Sequence, residues 1–290
     1  MRNFTKGISM SKIAVLGGSG CIGKALVCTI KKFGSYDEVI VIDKVPLSII
    51  GPKITNFEID IFHSEMKAKL LRILNDVQTL VLALNFEIAI KFLECFGNQI
   101  NKKLVLIDTL SAKYNYLKTL EKINNSNIIS CSINPMFRPH QEVLGDGNVA
   151  IIEYSEEQLI EKFLQMLQKA NCKLVVVSES VYHECVNCLQ ALVHASTLIF
   201  GLTLNEFEPN MELLLQIATP QFTALYGILK RILLGTSEVY YEIQKENIEQ
   251  SRLYKVLNKK TAVLFEVIQN RRKDDFVKIW DLRMNSFNME

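Results

Sequence analysis

Gly18-x-Gly20-x-x-Gly23 and Asp43 are the residues of this sequence whose types and spacing point most directly to chemistry. The glycines follow a short β-rich apolar run, Lys12–Leu16, and Cys21–Phe33 carries apolar residues at helical spacing. A second apolar run, Val39–Ile42, ends at Asp43, twenty residues beyond Gly23. Strand, glycine turn, helix, strand and acid in that order are what binding a dinucleotide pyrophosphate needs. Gly18 is expected to make the tight turn, Gly20 to let backbone approach the phosphates, and Gly23 to let helix pack close to strand. N–H groups of the first helical turn, at Cys21 and Ile22, then face the anion with the positive end of the helix dipole. Asp43 accepts hydrogen bonds from a ribose diol and repels a 2′-phosphate, which favours NAD over NADP. A glycine-rich structural turn is the competing reading; the agreement of strand, spacing and acid favours the nucleotide site.

The elements that must position such a site fall into two halves. Up to about residue 180, β-rich runs alternate with helical patterns: Asn56–Asp60, a helix after Ser64, Thr79–Leu84, a helix over Glu87–Phe96, and Leu104–Asp108. Asn127–Ser132, Asn148–Glu153 and Lys173–Val177 are further strands, and Ser155-x-x-Gln158 reads as a capping box. That alternation predicts an α/β fold, a Rossmann-type doubly wound parallel sheet with helices on both faces, over residues 11–180. From Val181 onward the spacing is helical throughout, which predicts an all-α C-terminal domain over residues 181–290. Its apolar surplus suits burial in a homodimer.

Bulk properties narrow the function. The chain has 290 residues, 49% hydrophobic and 22% charged, with a net charge of +2 and no long basic run. Nucleic acid is therefore not an expected partner. The first eleven residues lack a signal-peptide core and read as a ragged leader. Apolar runs such as Leu80–Leu84 are too short to span a bilayer, so no membrane association is expected and the protein reads as cytoplasmic. Seven cysteines scattered through apolar segments suit reduced thiols. Cys185-x-x-Cys188 beside His183 superficially suggests zinc, but no second ligand pair has comparable spacing, and no metal site is expected.

Four further segments resemble the prephenate dehydrogenase family, most of all the dehydrogenase half of bacterial T-proteins. LIDTLSAKYNYL (106–117) matches a strand-end motif of that family, with Asp108, Ser111 and Lys113 at its Asp, Ser and Lys. NPMFRP (134–139) resembles the family's HPMFGP. LQALVHASTLIFGLTL (189–204) resembles the start of its helical domain, with His194 on an active-site histidine. TPQFTALYGILKRILLGTSEVYYEI (219–243) resembles the segment supplying a substrate-binding arginine, which falls on Arg231. The resemblance runs over roughly Lys12 to Phe287. It implies an NAD-dependent oxidative decarboxylation in tyrosine (aromatic amino acid) biosynthesis. Hydride leaves a cyclohexadiene ring carbon for the nicotinamide as the ring carboxylate departs as carbon dioxide. It implies a small anionic substrate, Ser111, Asn134 and His194 at the catalytic positions, and Lys113 and Arg231 as substrate-binding residues. A guanidinium suits a dianion because its planar fork binds carboxylate bidentately. The Leu and Ile flanking Arg231 predict partial burial.

The departures from the family pattern matter as much. Asn134 stands where the family has the histidine that takes the ring hydroxyl proton, and an amide is no general base at neutral pH. Such a loss typically costs about two to four orders of magnitude in rate. Arg138 replaces a glycine of the same motif, Asn85 a proline, Thr223 a second arginine and Tyr182 another histidine. Three readings follow. The first is a prephenate dehydrogenase whose proton goes elsewhere, to water or to His183. The second is a 4-amino-4-deoxyprephenate dehydrogenase making 4-aminophenylpyruvate for a specialised metabolite, in which an unprotonated amine pushes electrons and no base acts before hydride leaves. The third is an inactive NAD-binding regulatory protein.

Overall fold

The computed structural model describes residues 11–46, 49–139, 143–152, 154, 158–250 and 252–286. Residues 1–10 of the expected leader and Ser155 of the expected capping box lie outside them.

The first half forms β1 (Lys12–Leu16), α1 (Cys21–Phe33), β2 (Glu38–Asp43), β3 (Ile54–Glu58), α2 (Lys67–Leu74), β4 (Thr79–Leu82), α3 (Phe86–Phe96), β5 (Leu104–Asp108), α4 (Tyr114–Lys122), β6 (Ile128–Pro135), β7 (Asn148–Ile152), α5 (Gln158–Lys169) and β8 (Lys173–Val177). Among the described residues these strands make one eight-stranded sheet in the order β3-β2-β1-β4-β5-β6-β7-β8. Every pair is parallel except β6 with β7. The order reverses at β1, which pairs with both β2 and β4, so a crevice opens at the carboxyl ends of those strands.

The continuous apolar strands are explained by burial on both faces. Ile13 and Val15 of β1 pack with Leu26, Ile30, Val41 and Phe163, while the alternate residues Ala14 and Leu16 pack with Leu70, Phe92, Phe96 and Tyr116. One strand thus feeds two cores. Asn85, at the family's proline position, is the N-cap of α3, its side-chain oxygen accepting the Ile88 N–H at 2.9 Å. Several boundaries differ from expectation, β4 for one ending at Leu82 instead of Leu84. β3 runs over Ile54–Glu58, in register with Val39–Asp43 of β2. β6 continues past Ser132 to Pro135, because Ile133–Pro135 pair with Val149–Ile151 of β7. That extension puts Asn134 on a strand.

The second half is helical: α6 (Glu179–Val186), a π-helical segment Asn187–Leu192, α7 (Val193–Glu206), α8 (Met211–Gln216), α9 (Pro220–Leu233), α10 (Ser237–Gln250), α11 (Leu253–Gln269) and α12 (Lys273–Ser286). The chain groups into two compact units. One takes residues up to Val186 together with Lys230–Ile243; the other takes Asn187–Leu229 and the residues from Gln244 onward. The chain passes from the first unit to the second inside one helix, at the π-helical segment, a wide turn often found where a helix adjusts to function. Within the second unit Gly201 permits close approach of helices, since a Cβ there would lie 2.7 Å from Leu229 Cδ1. Beside it Phe200 meets Phe222 edge-on and Phe222 stacks on Tyr226. By length and composition alone the Glu179–Glu206 helix is apolar enough to cross a membrane, which the short runs of the sequence did not foretell.

Candidate active site

The glycine turn sits at the carboxyl end of β1. Gly17, not the expected Gly18, makes the tight turn: its φ is +83°, and a Cβ there would meet Ala83 O at 2.3 Å. Gly18 instead lies against β2, where a Cβ would meet Val41 Cγ1 at 2.3 Å. Gly23 does what the spacing implied. A Cβ on it would lie 2.1 Å from Gly17 O, so α1 packs directly on the turn only because that atom is missing. Gly20 is exposed, and among the described residues no side chain caps the first turn of α1, whose opening residues are Cys21 and Ile22. No acidic residue lies in the first turn of α1 itself. Asp43, ending β2, accepts the Ser19 N–H at 2.9 Å on one oxygen and the Val45 N–H at 3.1 Å on the other. The acid is thereby held beside the turn with lone pairs to spare.

A second polar cluster lies beyond the carboxyl end of β5, on the same edge of the sheet. Asp108 ends that strand only 2% exposed, and the Lys113 ammonium, 0% exposed, pairs with it. Lys113 also donates to the Ile133 carbonyl at 2.9 Å, and Asp108 accepts the Leu110 N–H at 3.1 Å. The pair ties the β5 loop to β6. Burial, then the Asp108 charge, push the neighbouring Cys131 thiol up to about 12, so it stays protonated. Burial likewise raises the Tyr116 phenol. Lys113, expected to bind substrate, has no exposed surface; its charge is spent inside the fold.

Above this pair Ser111 Oγ donates to Asn134 Oδ1 at 3.2 Å, and Asn134 Nδ2 donates to the Tyr182 hydroxyl oxygen at 2.9 Å. The Tyr182 hydroxyl donates to the Ser111 carbonyl at 2.8 Å, closing a ring of three residues. Asn134 and Tyr182 are each 1% exposed, whereas Ser111 is half-buried and reaches the surface of the cluster. Tyr182 is the member that the sequence did not single out as a site residue. Its one signal was the family position it occupies, since 71 and 48 residues separate it from Ser111 and Asn134. His183 packs edge-on to Tyr114, with Nε2 3.5 Å from Glu179. Burial lowers its pKa and Glu179 partly opposes that.

The remaining expected residues are on other elements. Arg231, at the end of α9, is exposed, not partly buried as its Leu and Ile neighbours implied; those neighbours are on other faces of the helix. Among the described residues no ion pair engages it. It belongs to Lys230–Ile243, which groups with the sheet unit. Arg138 donates through Nη1 to the Leu234 carbonyl at 2.8 Å, tying that segment to the loop after β6. Its cation closes a helix end. His194, half-buried on α7 of the second unit, is pushed down to about 4 by burial. Thr223 spends its hydroxyl on the Thr219 carbonyl. Cys185 and Cys188 are both exposed free thiols.

A doubly wound sheet with a glycine turn, a strand-end acid and a polar cluster along one carboxyl edge defines a protein of the doubly wound α/β class. Within that class the chain is similar to prephenate-type dehydrogenases. It is 26% identical over 200 residues to the 4-amino-4-deoxyprephenate dehydrogenase of Streptomyces pristinaespiralis, covering 69% of this chain and 67% of that one. It is 23% identical over 190 residues to a Methanocaldococcus jannaschii protein named "Probable arogenate/prephenate dehydrogenase", covering 64% of this chain and 42% of that one. The matched stretch thus spans less than half of the second relative. In fold, the chain matches the prephenate dehydrogenase of A. aeolicus in complex with hydroxyphenyl propionate and NAD+, with a TM-score of 0.63 at 14% identity, over 98% of this chain and 100% of that one. No protein-family model matches the sequence.

Proposed function

We propose that this protein is an NAD-dependent dehydrogenase of the prephenate type. It oxidises an anionic cyclohexadiene at the substituted ring carbon while the ring carboxylate leaves as carbon dioxide. The observation that carries this reading is the glycine turn with its uncapped helix end and Asp43, on the same sheet edge as the Ser111–Asn134 pair. The residues fit NAD: the backbone of Gly18, Gly20, Cys21, Ile22 and Gly23 would hold the pyrophosphate and Asp43 the ribose diol. Bound NAD supplies the hydride acceptor. Aromatisation drives the reaction, so the chain's own task is orientation and charge.

Ser111 and Asn134 orient the ring substituent, His194 serves as a neutral hydrogen-bonding group, and Arg231 takes a carboxylate bidentately. Lys113 acts indirectly, holding Asp108 and the Ile133 carbonyl beneath the pair. We assign nucleotide binding to residues 11–180 and substrate binding and dimerisation to 181–290, with Lys230–Ile243 bringing Arg231 to the sheet unit. Exposed apolar side chains on the helical half, among them Leu202, Phe265, Ile268 and Trp280, support a homodimer. We place this dimer in the cytoplasm, with no membrane or nucleic-acid partner.

A specific observation favours the amine as the substituent. Both ends of the Asn134 amide are committed, to Ser111 and to Tyr182, and neither takes a proton at neutral pH. The name of the S. pristinaespiralis relative supports the same choice. The test is growth of NADH absorbance with pure protein, prephenate and 4-amino-4-deoxyprephenate side by side, with NAD and then NADP. Turnover of at least one with NAD is expected. Binding of NAD without turnover of either hands the case to an inactive regulatory protein. Arg231→Ala should raise KM sharply; an unchanged KM removes that residue from the site. Sedimentation should give twice 33.1 kDa.

A further inference from the structure

The ring formed by Ser111, Asn134 and Tyr182 fixes the direction of its three hydrogen bonds. The Ser111 carbonyl can only accept, so the Tyr182 hydroxyl must spend its single proton there, at 2.8 Å. Tyr182 oxygen, its proton gone inward, can then only accept from Asn134, at 2.9 Å. The amide therefore presents its NH2 to Tyr182 and its oxygen to Ser111. That oxygen, 3.2 Å from Ser111 Oγ, obliges the serine hydroxyl to donate into the fold. The order of donors is set by one backbone carbonyl and carried around by Tyr182, 1% exposed and unable to turn toward water.

We infer that Tyr182 is a positioning residue that locks the Asn134 amide and turns the Ser111 proton inward, so that Ser111 meets its ligand with lone pairs only and selects a ring substituent that donates N–H or O–H. The inference rests on the proposed dehydrogenase reading and deepens it. An amine that donates one N–H to Ser111 keeps its own lone pair free to push electrons into the ring. A hydroxyl that donates there finds no route for its proton, because the ring leads only to an amide oxygen. Tyr182 thus makes the site an acceptor for a substituent without making it a base.

The test is calorimetric binding at saturating NAD of three probes that differ only at the para position: 3-(4-aminophenyl)propionate, 3-(4-hydroxyphenyl)propionate and 3-(4-fluorophenyl)propionate. Fluorine is close in size to the other two groups and has no proton to donate. The native protein should prefer both donors over the fluoro probe by about tenfold, the effect of one hydrogen bond to a desolvated acceptor. Tyr182→Phe keeps the ring but frees the amide and the serine proton, and should reduce that preference to about twofold or less. A merely structural role for Tyr182 would weaken all three probes alike and leave the ratio unchanged, which would overturn the inference. Equal binding of all three probes by the native protein overturns it without touching the dehydrogenase reading. Binding of none, with NAD bound, overturns that reading and the inference with it.

Discussion

Lys113→Met separates a buried strut from a substrate contact. Methionine keeps the unbranched length and removes the charge, leaving the Asp108 carboxylate, 2% exposed, with the Leu110 N–H as the hydrogen bond that remains on the pairing oxygen. Removing one partner of a buried ion pair costs about 3–5 kcal/mol, because the surviving charge has neither water nor counterion. In a chain of this size each kcal/mol moves Tm by about 2–4 °C, so the variant should melt about 6–20 °C lower. Replacing both residues, Asp108→Leu with Lys113→Met, removes the stranded charge and should restore more than half of the loss. Scanning calorimetry on the four proteins of the cycle, with KM measured on the same samples, reads all of this. A fall in Tm below about 3 °C, roughly 1 kcal/mol, accompanied by a large rise in KM, would refute the reasoning and return Lys113 to the substrate.

Three further outcomes are expected. Gly23→Ala drives a methyl to 2.1 Å from Gly17 O, against the backbone of Gly17 and Gly18; it should cost about 1–3 kcal/mol and weaken NAD binding at least about tenfold. Unchanged NAD affinity by calorimetry would take the glycine turn out of the site. Arg138→Ala loses the bond to Leu234 O and should cost about 1 kcal/mol or less, with a few-fold rise in KM as the Arg231 segment loosens; a change in kcat alone would contradict that coupling. His194, with its pKa lowered to about 4 by burial, is neutral above pH 5 and should add no step to the pH–rate profile between pH 5 and 8. Its contribution to stability is complete above about pH 6.5 and is lost as pH falls toward 4, because the unfolded imidazole takes its proton first. An NMR titration midpoint near 6.5 would contradict the burial that causes the shift.

Much of the sheet was legible because its signals are local. β1, β5 and β8 fall where the apolar runs put them, and β1 and β5, buried on both faces, advertise themselves by an unbroken run rather than an alternation. β6 was read three residues short, ending at Ser132, because its extension through Asn134 depends on pairing with β7, which lies beyond a loop. The turn glycine was misread by one position: GxGxxG names three glycines, but the left-handed φ falls on Gly17, where Ala83 crowds the backbone.

By itself the sequence determined the fold class, a doubly wound sheet with a glycine turn followed by helices, and its resemblance to prephenate dehydrogenases singled out Ser111, Asn134 and Arg231. Periodicity and the glycine motif encode the sheet, the turn and the helices, since each is a property of neighbouring residues. Only the tertiary structure decided what those side chains face. It buried Lys113 against Asp108, exposed Arg231 despite its apolar neighbours, and brought Tyr182 to Ser111 and Asn134. Hydrogen-bond direction depends on which donor meets which acceptor in space, and no spacing along the chain records that.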